Sequence, residues 1–132
     1  MSKSLPTKGQ VEAEISDAIT RFEKEHMGRG PLETRTDLIE DLVVVRMKGM
    51  LTKPEMTLVG VSKDGHGRDP VKQVRRELIE TGRPMLEAAV KSATKRKVRG
   101  VYFDISTVSG EKIMVFTLEK PPEYASPTQS SS

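Results

Sequence analysis

The sequence predicts an α+β domain two layers deep, with helices packed on one face of a four-stranded, mainly antiparallel sheet in the order α-β-β-α-α-β-β. Three observations predict it. Apolar residues recur at helical spacing over 8–27 and again from Val71 to Ala93. The stretches 32–48 and 98–118 change to short runs of Val, Ile, Leu, Phe and Thr in which apolar and polar positions alternate. A length of 132 residues closes one such core, whereas two cores would each be marginal.

Val11, Ile15, Ala18, Ile19 and Phe22 fall on one side of the first helix, and Glu12, Glu14, Asp17, Arg21 and Glu23 on the other. Thr7 and Gln10 form a capping box at its start, and Gly28 offers the residue without Cβ that a left-handed exit prefers. Gly28-Arg29-Gly30-Pro31 is then a turn. Leu32 to Ile39 reads as a polar edge strand, Glu40-Asp41 as a hairpin turn, and Leu42 to Lys48 as a Val-rich, more buried strand. Val43, Val45 and Met47 share one face of that strand, Leu42 and Val44 the other.

A second capping box, Thr52-Lys53-Pro54-Glu55, opens a short helix that meets Gly60, and 62–68 is a loop rich in turn residues. Asp69 as N-cap and Pro70 as first helical residue start a long helix with the stripe Val71, Val74, Leu78, Met85, Ala89 and Ala93. The phase of that stripe survives Gly82-Arg83-Pro84, so one helix is expected, with Pro84 as its point of kinking. In the last hairpin, turning at Ser109-Gly110, Val101, Phe103 and Ile105 point one way. Their partners are either Ile113 and Val115 or Met114 and Phe116. From Glu119 the chain is Pro, Ser, Thr and Gln with little to bury, so the domain is expected over 1–118 and a disordered tail over 119–132.

Composition narrows the function classes. The absence of cysteine excludes disulfides, thiolate metal sites and thiol nucleophiles. Runs such as Leu42-Val43-Val44-Val45 fall far short of a membrane span, and the N-terminus runs into a polar helical pattern with no apolar leader; a cytoplasmic protein with no direct membrane insertion is expected. The net charge of +3 is unevenly placed, because residues 70–100 carry nine Lys/Arg against three Glu.

No set of residues has the form of a catalytic or metal centre, and no cofactor is expected. His26 and His66 lie in no ligand spacing, and His26 suits the end of a helix as a cation. Asp104, Ser106, Thr107, Ser109 and Glu111 cluster at the last hairpin, but a hydroxyl nucleophile there has no base and no oxyanion donor. Arg29 and Gly30 could present a small anion nest, against the simpler reading of a helix-to-strand turn. Arg75, Arg76, Lys95, Arg96, Lys97 and Arg99 could form a positive ridge for an anion, a nucleic acid or an acidic protein, although cations at a helix end also complement its dipole. Leu42 and Val44 would form an oligomer interface, since helices on one face leave the other apolar face open.

Lys8-Gly9-Gln10-Val11-Glu12-Ala13-Glu14-Ile15, Arg21 to Glu25 followed by Gly28 to Pro31, Ile39-Glu40-Asp41, Val45 to Thr52, Val74-Arg75-Arg76, Asp104 to Thr107 with Gly110-Glu111, and Val115 to Leu118 together resemble the MpsC-like family. That family, formerly a domain of unknown function, is named for a Na+-translocating membrane-potential-generating system and is linked to inorganic-carbon uptake. The resemblance implies an accessory role and brings no catalytic residues; Gly82 and Pro84 depart from the family's more uniform helix. The expected function is a non-enzymatic cytosolic module that self-associates, as a homodimer or higher oligomer, and docks on a membrane transport or signalling component. The rival is nucleic-acid binding, RNA above all, through 70–100, for which only Tyr102 and Phe116 could offer stacking faces. A small enzyme acting on an anion is a third, weaker alternative.

Overall fold

The structure, a computed structural model, describes residues 5–28, 30–50, 68–106 and 108–125, without the side chains of residues 68–72, 74, 75 and 78. Helix α1 (Lys8–His26) is followed by strands β1 (Glu33–Ile39) and β2 (Leu42–Lys48), helix α2 (Arg68–Thr94), and strands β3 (Val98–Ile105) and β4 (Lys112–Leu118). The order among the described residues is α-β-β-α-β-β; the short helix expected from Thr52 and the loop that follows it lie outside them. The sheet runs β1-β2-β4-β3 with every neighbouring pair antiparallel, so the two hairpins meet along β2 and β4.

The capping box at Thr7 is formed in both directions, Gln10 N–H to Thr7 Oγ1 at 3.1 Å and Thr7 N–H to Gln10 Oε1 at 2.9 Å. Val11, Ile15, Ile19 and Phe22 are buried as their spacing requires. Glu23, expected on the wet side, is buried instead and paired inside the core. Three polar rungs join α1 to β1: Ser16 to Thr36 at 2.7 Å, Thr20 to Thr34 at 2.9 Å, and the Leu38 N–H donating to Glu12 Oε2 at 2.8 Å. These rungs account for the polarity of β1, whose inward threonines meet hydroxyls of the helix above them.

Helix α2 continues through Pro84, and its described span contains Asp69 and Pro70 rather than starting at an Asp69 cap; proline is tolerated in a first turn, where the backbone N–H has no helical acceptor. Its buried stripe is Ile79, Leu86, Val90 and Ala93. Met85, expected in that stripe, is 55% exposed. The phase is set by Gly82, where the helices cross closely: a Cβ there would lie 2.5 Å from Phe22 Cε1 and 2.9 Å from His26 Cδ2.

The core lies between this helix layer and the inward face of the sheet, where Leu38, Val43, Val45, Met47, Ile105, Met114, Phe116 and Leu118 are buried. The ambiguity in the last strand is thereby resolved in favour of Met114 and Phe116. Residues 119–125 are not the loose tail expected from composition. Arg96 Nε donates to the Pro121 carbonyl at 3.0 Å, the Ala125 N–H to the Pro6 carbonyl at 2.9 Å, Pro122 is buried, and Tyr124 packs on the core. A segment of low hydropathy is fixed here by backbone carbonyls and one aromatic ring.

Candidate functional site

The residues expected to bind an anion or partner are not brought together. Arg29 and the side chain of Arg75 lie outside the described residues, as does His66. Gly30 approaches the stem of Lys24 so closely that a Cβ would sit 2.5 Å from Lys24 Cγ, the geometry of a packed turn. Arg76 lies over the Phe103 ring, 5.6 Å from its centroid. Lys95 to Arg99 sit beyond the far end of α2, roughly 28 Å along the axis from Arg76 at 1.5 Å per residue.

That basic end serves the chain itself. Lys95 takes φ 61° as the helix stops, and Arg96, its side chain 16% exposed, holds the Pro121 carbonyl and lies 3.8 Å from Glu123. The Lys97 N–H donates to Glu119 Oε2 at 2.9 Å, and this bond holds the Glu119 carboxyl below its ordinary range. Lys95, Lys97 and Arg99 keep exposed side chains but form no ridge with Arg76.

Thr107 of the last hairpin lies outside the described residues, and the other hydroxyls and acids expected there are engaged locally. Ser106 Oγ accepts from the N–H groups of Val108 and Ser109, Ser109 Oγ from that of Glu111, and Asp104 Oδ1 from that of Ile105. Glu111 Oε2 receives both Nε and Nη2 of Arg46, at 3.2 and 2.9 Å. His26 is stacked on Phe22, ring centroids 4.9 Å apart. Among the described residues no group of three or more His, Cys, Asp or Glu is placed to hold a metal, and no helix is long and apolar enough to cross a membrane.

Two features remain. The first is the outward face of the sheet. Both helices lie on the inner side, and on the outer side Leu42 stands beside Ile39 of β1, while Val44 pairs with Val115 of β4 and Val115 with Tyr102 of β3. Ile39 is 55% exposed, Tyr102 61% and Ile113 39%, and among the described residues no element covers them. Met50, just after β2, is buried in the core and does not cover this face. Leu42 and Val44 thus occupy the face expected of them, half-buried among their neighbours. Phe116, the second expected stacking face, points inward and is fully buried.

The second is an ion pair that sequence reasoning missed. Lys112 Nζ lies 2.6 Å from Glu23 Oε1, both side chains have no solvent exposure, and Nζ also sits 5.6 Å from the Phe103 ring centroid. Strand parity carried the only signal: with Met114 and Phe116 inward, Lys112 must point inward too.

The family model for "Na+-translocating membrane potential-generating system (MpsC)" matches residues 7–120. The chain belongs to the MpsC family. It is also similar to "Uncharacterized protein YbcI" of Bacillus subtilis (strain 168), 40% identical over 112 residues that cover 85% of this chain and 88% of that protein. No solved structure matches the chain at a significant level. The match spans α1 to β4 and ends at residue 120, within the segment that follows β4.

Proposed function

We propose that the chain is a non-enzymatic accessory module of a membrane cation or inorganic-carbon transport system, cytoplasmic, which self-associates and docks on a component of that system or on a signalling partner. The observation that carries this reading is the apolar outer face of the sheet, which no element covers among the described residues. A row of exposed Ile39, Tyr102 and Ile113 around half-buried Leu42, Val44 and Val115 is a contact surface rather than a solvated one. The family's printed description, a membrane potential-generating system, supplies the setting. Nucleic-acid binding draws no support from the geometry, since Phe116 is in the core, Arg96 is engaged within the chain, and the remaining cations are scattered.

The test is made in cells that lack this protein. Membrane potential read with a voltage-sensitive dye, and uptake of labelled bicarbonate, should fall and be restored by the native chain. Potential and uptake both unchanged by the deletion would refute the accessory role.

A further inference from the structure

We infer that the uncovered sheet face is the contact surface for a second copy of this chain, which stacks its own sheet face on it to give a dimer of four layers, helices outside and two sheets within. This rests on the self-associating module proposed above and names its partner. Charge selects the occupant. At the paired positions of this face the strands carry three cations, Arg35, Arg46 and Lys48, and three acids, Glu33, Asp37 and Asp104, which balance; Arg99 stands exposed at the bulge near one end of the edge strand β3, outside that pairing.

These three cations are moreover already paired within the chain: Arg35 with Asp37 at 3.2 Å, Arg46 with Glu111 at 2.9 Å, and Lys48 with Glu33 at 3.7 Å. A polyanion or an anionic bilayer selects surfaces with unspent positive charge. A neutral face with an apolar centre meets no net repulsion from a copy of itself, and a twofold axis brings Val44, Val115 and Tyr102 against the same residues of the other copy.

Area agrees. Four strands spaced about 4.8 Å and seven residues long at about 3.3 Å give a face of roughly 19 by 23 Å, or on the order of 900 Å² in projection over two copies. Side-chain relief raises the accessible area above that projection, to about the 1,000 Å² at which specific interfaces begin. Stacked sheets about 10 Å apart would interdigitate Tyr102 and Ile39 with the valines between them.

Light scattering at micromolar concentration should give twice the 14.7 kDa chain mass. Val44→Lys, which sets a charge at the centre of the contact in both copies, should raise the dissociation constant about 100-fold or more and leave a monomer. The native chain has no cysteine, so Val115→Cys places a single thiol at the centre of the face and Ala88→Cys a single thiol on the exposed side of α2. Mild oxidation should link the first into a disulfide dimer and leave the second unlinked, a result that stands even where Val44→Lys fails to fold. A mass of one chain at every concentration overturns the inference. Linkage through Ala88→Cys but not Val115→Cys does so too. A monomer that binds anionic vesicles or single-stranded RNA, with binding abolished by Val44→Lys, also overturns it and reassigns the face. Each of these outcomes is separable from the cellular potential measurement, which tests the accessory role without reference to chain mass.

Discussion

Replacing Lys112 with Met should be the most damaging single change in the core, and replacing Glu23 with Leu at the same time should undo most of the damage. Lys112 Nζ and Glu23 Oε1 are 2.6 Å apart, neither side chain is exposed, and Glu23 Oε2 has no hydrogen-bond partner among the described residues. Removing the ammonium leaves a carboxylate without solvent exposure and without its partner at 2.6 Å, and breaking a buried pair from one side costs about 3–5 kcal/mol. Against a total stability of about 5–15 kcal/mol for a domain, that is a large fraction. With a urea m-value of about 1.5 kcal/mol/M, the midpoint should fall by about 2–3 M in Lys112→Met. The double variant removes both charges and fills the space with carbon, an exchange that is neutral or stabilising by about 1–4 kcal/mol where such pairs have been replaced. Its midpoint should therefore lie within about 1 M of the native protein or above it. The assay is urea unfolding followed by circular dichroism on all four members of the cycle. A single variant that loses less than about 1 kcal/mol, as exposed ion pairs do, refutes the burial argument.

Gly82→Ala adds a methyl 2.5 Å from the Phe22 ring, so overpacking of about 1–3 kcal/mol should outweigh the roughly 1 kcal/mol of helix propensity gained, and the melting temperature should drop by a few degrees. A rise would mean that the helices have room at their crossing. Truncation after Leu118 should lower the melting temperature by several degrees, because it removes buried Pro122, the Tyr124 ring and the carbonyl that Arg96 holds; an unchanged melt would show that 119–125 contributes nothing. Glu119 has its carboxyl lowered by the Lys97 N–H, so its contribution is complete above the ordinary value of 4.5 and is lost as pH falls through the lower folded-state value. The melting difference between the native chain and Glu119→Gln should be present at pH 7 and shrink at pH 3; a gap unchanged at pH 3 would rule out that bond as its source.

The elements with their own local code were legible. The Thr7 capping box, the helical stripe from Val11 to Phe22 and the alternation of Val43, Val45 and Met47 each follow from contacts within a turn or a strand, and the structure has all three. What the sequence hid depends on partners far along the chain. Glu23 reads as solvent-facing because the ammonium that donates to it, Lys112, is 89 residues away. In the stripe of α2 Ala93 is buried as expected, while Val71, Val74 and Leu78 have side chains outside the described residues; Met85 is the position that differs, because a buried glycine carries no hydrophobic signal and Gly82 marks the crossing that turns Met85 outward. Likewise Arg96 belongs by composition to a basic run and by geometry to a clasp on Pro121, which only the return of the chain after β4 creates. The outward side of Leu42 and Val44 was readable from parity, which fixes a face without saying what lies on it.

Parity also explains how one small sheet can carry both a costly interior and a separate contact surface. Alternate residues of β2 and β4 point to opposite sides, so Lys112, Met114 and Phe116 face the helices while Ile113 and Val115 face outward, and Val43 and Val45 divide from Leu42 and Val44 in the same way. A charge placed at Val44 therefore perturbs the outer face without entering the space around Glu23, whereas the same charge at Val43, which has no exposure, would enter the core directly. The inner layer is also tied to its helices by the buried pair between α1 and β4 and by the three polar rungs between α1 and β1. Those directional contacts set the position of α1 on the sheet, which apolar packing alone would specify less sharply. The outer face carries only ion pairs among its own exposed side chains, so under the dimer proposed above apolar area rather than a charge lock would decide what binds there.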